Sequence, residues 1–342
     1  MQQVTIKDIA RIAGVSVTTV SRALNHAAEI SDDTRERILQ VCREQGYRTN
    51  LLARSLISSR TNILGVILPD ISNPFHAALA LHIETFARKR GYQVMLCNGR
   101  AGDGTICALF EFLISQRVDG ILLSSPSDQA TALLCRYQAM VPSVLIGNGL
   151  QEESIHRINT VNTDNFAGGW MAAEYLHQLG HRDVLYLGFR SHSTTHALRH
   201  QGFTEAARQF GMAVETAENP GSSSSIDSGD RLDRQLFLKP FSQTAVFAAS
   251  DALALGALQA ADELGISVPG RLSLMGFDNI DYAALPKIRL TTLAQPTAAL
   301  ARYATQLLFD LIESDDHSVY TYQRLTPTLI QRDTCRAVTP AP

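Results

Sequence analysis

The sequence predicts a chain in two parts: a small all-α head folded as a helix-turn-helix, and an α/β body of two doubly wound parallel-sheet subdomains. Three observations lead there. Residues 1–60 show only helical apolar spacing, whereas from Asn62 onward short β-rich runs alternate with helical patterns. The alternating part takes up about 280 of the 342 residues, too many for one such sheet. Charge divides at the same place. The first 60 residues hold nine Lys/Arg against six acids, a net +3, so the remainder carries −6 of the total −3. A basic head on an acidic body suits a polyanionic partner for the head alone, although a solvated basic face would give the same count.

The first two helices lie in IKDIARIAGVSVTTVSRALN, residues 6–25. Apolar residues recur at helical spacing at Ile6, Ile9, Ala10 and Ala13, and again at Val20, Ala23 and Leu24, with one break at Gly14-Val15-Ser16. Gly14 supplies a tight turn and Ser16 an N-cap. The second helix then turns Val17, Thr18, Ser21 and Arg22 outward. Methyls, hydroxyls and a guanidinium at an exposed helix start match thymine methyls, phosphates and guanine edges, whereas a plain αα-hairpin has no need of them. A third helix follows Ser31 as N-cap, with Ile38, Leu39 and Val41 as its apolar stripe, and ends near Gly46. Next comes NLLARSLIS, residues 50–58, with Asn50 as N-cap and Leu52, Ala53 and Leu56 on one side. It is too short to be stable alone in water and runs into the linker-like Ser58-Ser59-Arg60-Thr61.

These residues carry a resemblance. TIKDIARIAGVSVTTVSRALN, followed by YRTNLLARSLISSRTNILGVILPDISNPF, resembles the lactose/galactose repressor (LacI/GalR) family of bacterial transcription regulators over essentially the whole chain. The resemblance implies a symmetric homodimer on a near-palindromic operator, since one helix-turn-helix reads only a half-site. The operator-binding residues are then Thr5, Ser16, Val17, Thr18, Thr19, Ser21, Arg22, Asn25, Asn50, Ala53 and Leu56. Residues 50–58 become a hinge helix that orders on DNA, with Leu56 wedged into the minor groove beside Ala53.

In the body, the candidate strands are 63–68, 92–97, 120–123, 143–146, 184–188, 245–249 and 271–277, with helices near 75–90, 105–116, 165–179, 196–210 and 251–265. Ligands of such sheets bind at the strands' carboxyl ends, here between subdomains. The resemblance implies two lobes like those of periplasmic sugar-binding proteins, joined by three crossovers near Val161, Thr291 and Tyr322. Lobe one is then 62–161 with 291–322, and lobe two 162–290 with 323–340, in a body spanning 62–342.

Several strand-end loops offer ligand groups: Asp70 after the first strand, Arg190 to Arg199 including Thr195 and His196, Ser250-Asp251, and Asp278-Asn279. Each has a structural alternative, with Asp70 or Ser72 capping a turn and Asp251 capping a helix. The resemblance places Arg199 and Asp278 on the family's effector-contacting arginine and aspartate, a pair suited to vicinal hydroxyls of a sugar-like effector. Phe75 or Phe166 supplies an apolar wall. Two departures count against carrying over a particular sugar: Gly147-Asn148 ends a strand where a polar group is usual, and serine near Ser224 stands where several members have an aromatic.

Catalysis finds little support. His192, His196 and His200 are spaced i, i+4, i+8, but no carboxylate or cysteine completes a metal set, and neither GxSxG, Walker A nor GxGxxG occurs. No cofactor or metal is expected. Five scattered cysteines without CxxC suggest a reducing cytosol. No membrane span and no signal-peptide order is visible, so a cytoplasmic regulator is expected. The ending TCRAVTPAP lacks a leucine-heptad tail, which favours a dimer. The rival class, a sugar-binding protein or sugar-modifying enzyme on the same body, has no need of residues 1–60.

Overall fold

The computed structural model describes residues 4–24, 29–47, 60–99, 104–124, 128–147, 157–189, 194–219, 237–238, 241–314 and 319–338. The chain divides into two compact units, Met1–Thr61 and Asn62–Pro342.

The head holds α1 (Ile6–Ala13), α2 (Val17–Leu24) and α3 (Asp32–Glu44). Thr5 and Asp8 form a capping box at the start of α1, which satisfies two orphan N–H groups at once. Gly14 closes α1 at φ 67°, where a side chain would be strained. Ser16 Oγ accepts the Thr19 N–H at 3.1 Å and so starts α2. Ile9, Ala10, Ala13, Val20 and Ala23 make the core with Ile38 and Cys42 of α3. The expected α3 stripe is thus corrected: Leu39 and Val41 are only half-buried, while Cys42 is buried, because it shares a face with Ile38 one turn earlier. Ser31 makes no side-chain bond to the α3 backbone; its hydroxyl meets Thr34 Oγ1 at 2.9 Å instead.

The body begins with β1 (Ile63–Leu68), α4 (Pro74–Lys89), β2 (Gln93–Asn98), α5 (Thr105–Ser115), β3 (Gly120–Ser124), α6 (Asp128–Tyr137), β4 (Ser143–Ile146) and β5 (Thr160–Thr163). It continues with α7 (Asn165–Gln178), β6 (Asp183–Phe189), α8 (Thr194–Gln209), β7 (Ala213–Asn219), β8 (Ala245–Ala248), α9 (Asp251–Glu263), β9 (Ser273–Asp278) and β10 (Thr291–Ala294). Last come α10 (Thr297–Glu313), β11 (Tyr322–Leu325) and β12 (Thr328–Ile330). Two six-stranded sheets result, ordered β11-β5-β4-β3-β1-β2 and β12-β10-β9-β8-β6-β7. All pairings are parallel except β10 with β12; β12 arrives from the hinge end and therefore runs the other way.

Both faces of the first sheet are covered, as parallel sheets require. Leu64, Val66 and Leu68 pack under α4 and α10, and Ile67, Ile121 and Leu123 under α5 and α6. A single larger core fills the second lobe. Phe75 packs against the cores of both lobes.

The three crossings lie further along the chain than expected. β5 stays paired through Thr163, opposite Leu325. β10 belongs to the second sheet, with Ala294 opposite Asp278, and β11 belongs wholly to the first. A strand cannot leave its sheet while its ladder bonds are being made, so the chain crosses only past Thr163, Ala294 and Leu325. Residues 291–294 therefore leave the expected lobe one, and 162–163 and 323–325 the expected lobe two. Among the described residues no helix is long and apolar enough to cross a membrane.

Candidate nucleic-acid interface and ligand site

On the head, Ser16, Val17, Thr18 and Arg22 are exposed, and Thr19 and Ser21 half-buried. The first turn of α2 is thus available to a partner along one side. Arg22 pairs with Glu29 at 3.1 Å, an exposed ion pair worth little in water and easily exchanged for another acceptor. Thr5 has its hydroxyl engaged on Asp8 Oδ2 at 2.7 Å. Asn25, Asn50, Ala53 and Leu56 lie outside the described residues.

In the body the candidate ligand residues gather at the carboxyl ends of the two sheets. Two glycines make this possible. A Cβ on Gly169 would lie 2.0 Å from the Arg199 carbonyl oxygen, and one on Gly202 would lie 2.0 Å from that of Phe166. Only glycine at both positions lets α7 and α8 touch backbone to backbone, and that contact seats Arg199 inward, 1% exposed.

Arg199 Nη1 donates to the carbonyl of Ala249, just past β8. Its Nη2 donates to Asn165 Oδ1 at 2.7 Å, at the start of α7. Its guanidinium carbon sits 3.4 Å from the centre of the Phe277 ring on β9, a cation–π contact in a dry site. Nε makes no hydrogen bond, so Arg199 retains a donor. Burial works against this charge, and Asp278, Tyr186 and Asp251 support it.

Asp278 ends β9 at φ 123°, followed by Asn279 at φ 57°. Non-glycine residues avoid the left-handed region at a cost of roughly 1–3 kcal/mol, a strain that tends to collect at functional sites. Its Oδ1 accepts Gln295 Nε2 at 2.7 Å. Burial pushes its carboxyl up to about 7, against the pull of Arg199 and with a further push from Asp251. Two histidines stand nearby, with His196 in reach of the charge His76 would carry. Burial pushes His76 of α4 down to about 4. Burial, Arg199 and His76 together push His196 of α8 down to about 3. Both are neutral at neutral pH, and each can offer one donor and one acceptor.

Other expected site residues have structural duties. Asp70 Oδ1 accepts the Ser72 N–H and hydroxyl at 2.9 and 2.6 Å, a turn lock. Ser250, rather than Asp251, caps α9 by accepting the Leu253 N–H. Asp251 binds Thr292 Oγ1 at 2.6 Å and the Ile280 N–H at 2.9 Å, so it braces the loop behind Asp278. Thr195 donates to the carbonyl of Gly147 in lobe one, and so fastens the start of α8 to the end of β4. Phe166 stands 6.3 Å from Trp170, which contacts Phe210 in turn; it heads an aromatic ladder between α7 and α8. Phe75 keeps a position shared by both lobes. His200 meets Thr216 Oγ1 at 3.1 Å, and among the described residues no three ligands converge on a metal position.

With this geometry in place the similarities to known proteins become decisive. Residues 5–50 match bacterial regulatory proteins of the lacI family, and residues 173–335 match the periplasmic binding protein-like domain. The transcriptional regulator DegA of Bacillus subtilis is 35% identical over 295 residues, 85% of this chain and 86% of its own. The repressor PurR of Pectobacterium carotovorum is 31% identical over 330 residues, 96% of each chain. This chain belongs to the lacI family. Among solved structures, the lac repressor dimer bound to operator and the anti-inducer ONPF superposes with TM-score 0.86 at 26% identity, covering 98% of this chain and 100% of that one. The regulator CelR in complex with cellobiose gives TM-score 0.71 at 28% identity, covering 97% and 100%. As a lacI-family member the chain is a DNA-binding transcription regulator with an effector-binding body.

Four residues of the candidate ligand site carry no binding signal in the sequence: His76, Asn165, Phe277 and Gln295. Phe277 reads only as strand, and His76 lies one residue beyond the strand-end loop that finishes at Phe75. Asn165 stands in a helix-start TDN, where an amide is read as a cap. Gln295 follows a short threonine-rich strand with no periodic signal.

Proposed function

We propose that this lacI-family regulator is a cytoplasmic repressor that binds a near-palindromic operator as a homodimer, under the control of a small carbohydrate-like effector held between its two lobes. The observation that carries the DNA reading is the exposed first turn of α2, where Ser16, Val17, Thr18 and Arg22 stand at solvent. Arg22 is bidentate to guanine and Val17 meets a thymine methyl. Leu56, by its place in the sequence, wedges into the minor groove. Arg199 and Asp278 clamp effector hydroxyls, His76 and His196 add neutral hydrogen-bonding groups, and Phe75 supplies an apolar wall. The cellobiose complex of CelR supports a carbohydrate, and five unpaired cysteines support a reducing compartment.

The test begins with selection of a duplex from random DNA by the full chain. Arg22→Ala should weaken binding to that duplex by about 1–3 kcal/mol per half-site at fixed salt. Sugars and sugar acids, cellobiose among them, are then titrated calorimetrically. Wild-type duplex affinity in the variant would show that α2 is not the reading helix.

A further inference from the structure

Arg199 and Asp278 stand at the two ends of a polar circuit of four hydrogen bonds that runs through the lobe hinge. Thr163 Oγ1 donates to Gln295 Oε1 at 2.6 Å, and Gln295 Nε2 donates to Asp278 Oδ1 at 2.7 Å. On the other side Arg199 Nη2 donates to Asn165 Oδ1 at 2.7 Å, and Asn165 Nδ2 donates to the Thr163 carbonyl at 2.9 Å. The Arg199 charge and the Asp278 carboxyl, at the two ends of this circuit, also attract one another. Chemistry orients both amides: the charged form of Asp278 only accepts, so Gln295 must turn its NH2 to it; a guanidinium only donates, so Asn165 must turn its oxygen to Arg199. The four bonds then all run from Arg199 towards Asp278, and at each amide the bond received and the bond given polarise and strengthen one another.

The circuit passes through the places where the chain changes lobes. Thr163 is the last residue of β5, and Asn165 opens α7 just across the first crossing. Gln295 is the first residue after β10, at the second crossing. The third is tied to the first by the Asp164 N–H, which donates to the Leu325 carbonyl at 2.8 Å.

We propose that Gln295 and Asn165 are the positioning residues that couple effector engagement to the lobe hinge, acting through Thr163. An effector hydroxyl that donates to Asp278 competes with Gln295 for the charge of the same carboxylate. One that accepts from Arg199 draws on the charge that holds Asn165. Each amide then shifts, and the shift arrives at Thr163 and so at the crossings. An effector biases the lobe angle only by interacting unequally with two arrangements, and the circuit provides that inequality without a contact between effector and hinge. The proposal rests on reading Arg199 and Asp278 as effector groups.

The test uses three variants of the full chain: Thr163→Val removes the hydroxyl without changing shape, Thr163→Ser restores it, and Gln295→Met removes the relay. The first readout needs no effector. The Asp278 carboxyl is followed by NMR with carbon-labelled aspartate, assigned by its loss in Asp278→Asn. A hydrogen bond to the charged form favours that form, so Thr163→Val and Gln295→Met should raise the titration midpoint of Asp278 by roughly half a pH unit or more. Thr163→Ser should leave it near wild type. A midpoint unmoved in Gln295→Met and Thr163→Val overturns the proposal. The second readout uses the selected duplex with cellobiose, D-ribose and D-gluconate as probes. A sugar that binds wild type should bind Thr163→Val within about threefold, while its effect on duplex affinity shrinks by about threefold or more. An undiminished effect also overturns the proposal. If none of the probes binds wild type, it is the carbohydrate reading of the site that fails, and the carboxyl titration alone decides the relay.

Discussion

Asp278→Asn separates the charge of Asp278 from its shape. Asparagine is the same size, and its Oδ1 can still accept Gln295 Nε2, now at 2.7 Å from the carboxylate. What disappears is an ionisable group buried beside Arg199. Burial raises that carboxyl from 3.8 to about 7. A carboxyl whose folded pKa lies above its unfolded one favours the folded state at low pH. That contribution is fully present below about 4 and is lost as pH rises through about 7. At about 1.4 kcal/mol per tenfold change, the gap amounts to about 4 kcal/mol. Wild type should therefore lose this contribution between pH 4 and 8.5, and Asp278→Asn should not. The stability difference between the two should swing by about 4 kcal/mol in favour of the variant across that range, whatever its value at pH 4. His76 and His196 titrate in both proteins and cancel in the difference. Urea unfolding at a series of pH values measures the swing. Trp170, the single tryptophan, reports on the lobe that holds Asp278. A swing below about 1 kcal/mol would refute the account of this carboxyl as buried and near-neutral in its titration. Effector affinity should fall about tenfold in the variant at pH 8, where a charge-assisted bond becomes a neutral one, and much less at pH 5.5.

Arg199→Ala should be more than an effector-site change. It strands the Ala249 carbonyl and Asn165 Oδ1 in a buried place and removes the stack on Phe277, so urea unfolding should show a loss of about 3–5 kcal/mol. Gly202→Ala should be worse tolerated than most surface changes, because its Cβ would stand 2.0 Å from the Phe166 carbonyl oxygen; a variant with wild-type stability would show that α7 and α8 are not in backbone contact. Val17→Ser should leave the melting of the head unchanged, since Val17 is 40% exposed, while shifting the base preference of the selected duplex at one position per half-site, which sequencing of a repeated selection would reveal.

Much of this protein could be read before any tertiary information. Local rules determine the head: Gly14 must turn, Ser16 must cap, and the spacing of Ile9, Ala10, Ala13, Val20 and Ala23 permits one way of burying them. The apolar strands of the body announce themselves because both faces of a parallel sheet are buried, and a run such as ILGVIL has no other use. The short polar strands do not. TVNT, TTLA and YQRL at β5, β10 and β11 become strands only because a neighbour supplies their ladder bonds, which is why the lobe crossings were expected a few residues early. The ligand site divides in the same way. Arg199 and Asp278 were visible as a charged pair in strand-end positions, through resemblance. Their buried environment, the neutral state of His76 and His196, and the amides of Gln295 and Asn165 were not. Those depend on which groups the chain crossings bring within 3 Å of one another, residues 17, 34 and 132 positions apart in sequence. A hydrogen bond of that kind leaves no periodicity and no composition in the chain. Only the meeting of the two sheets decides it, because burial and charge, unlike helical spacing, are properties of neighbours in space.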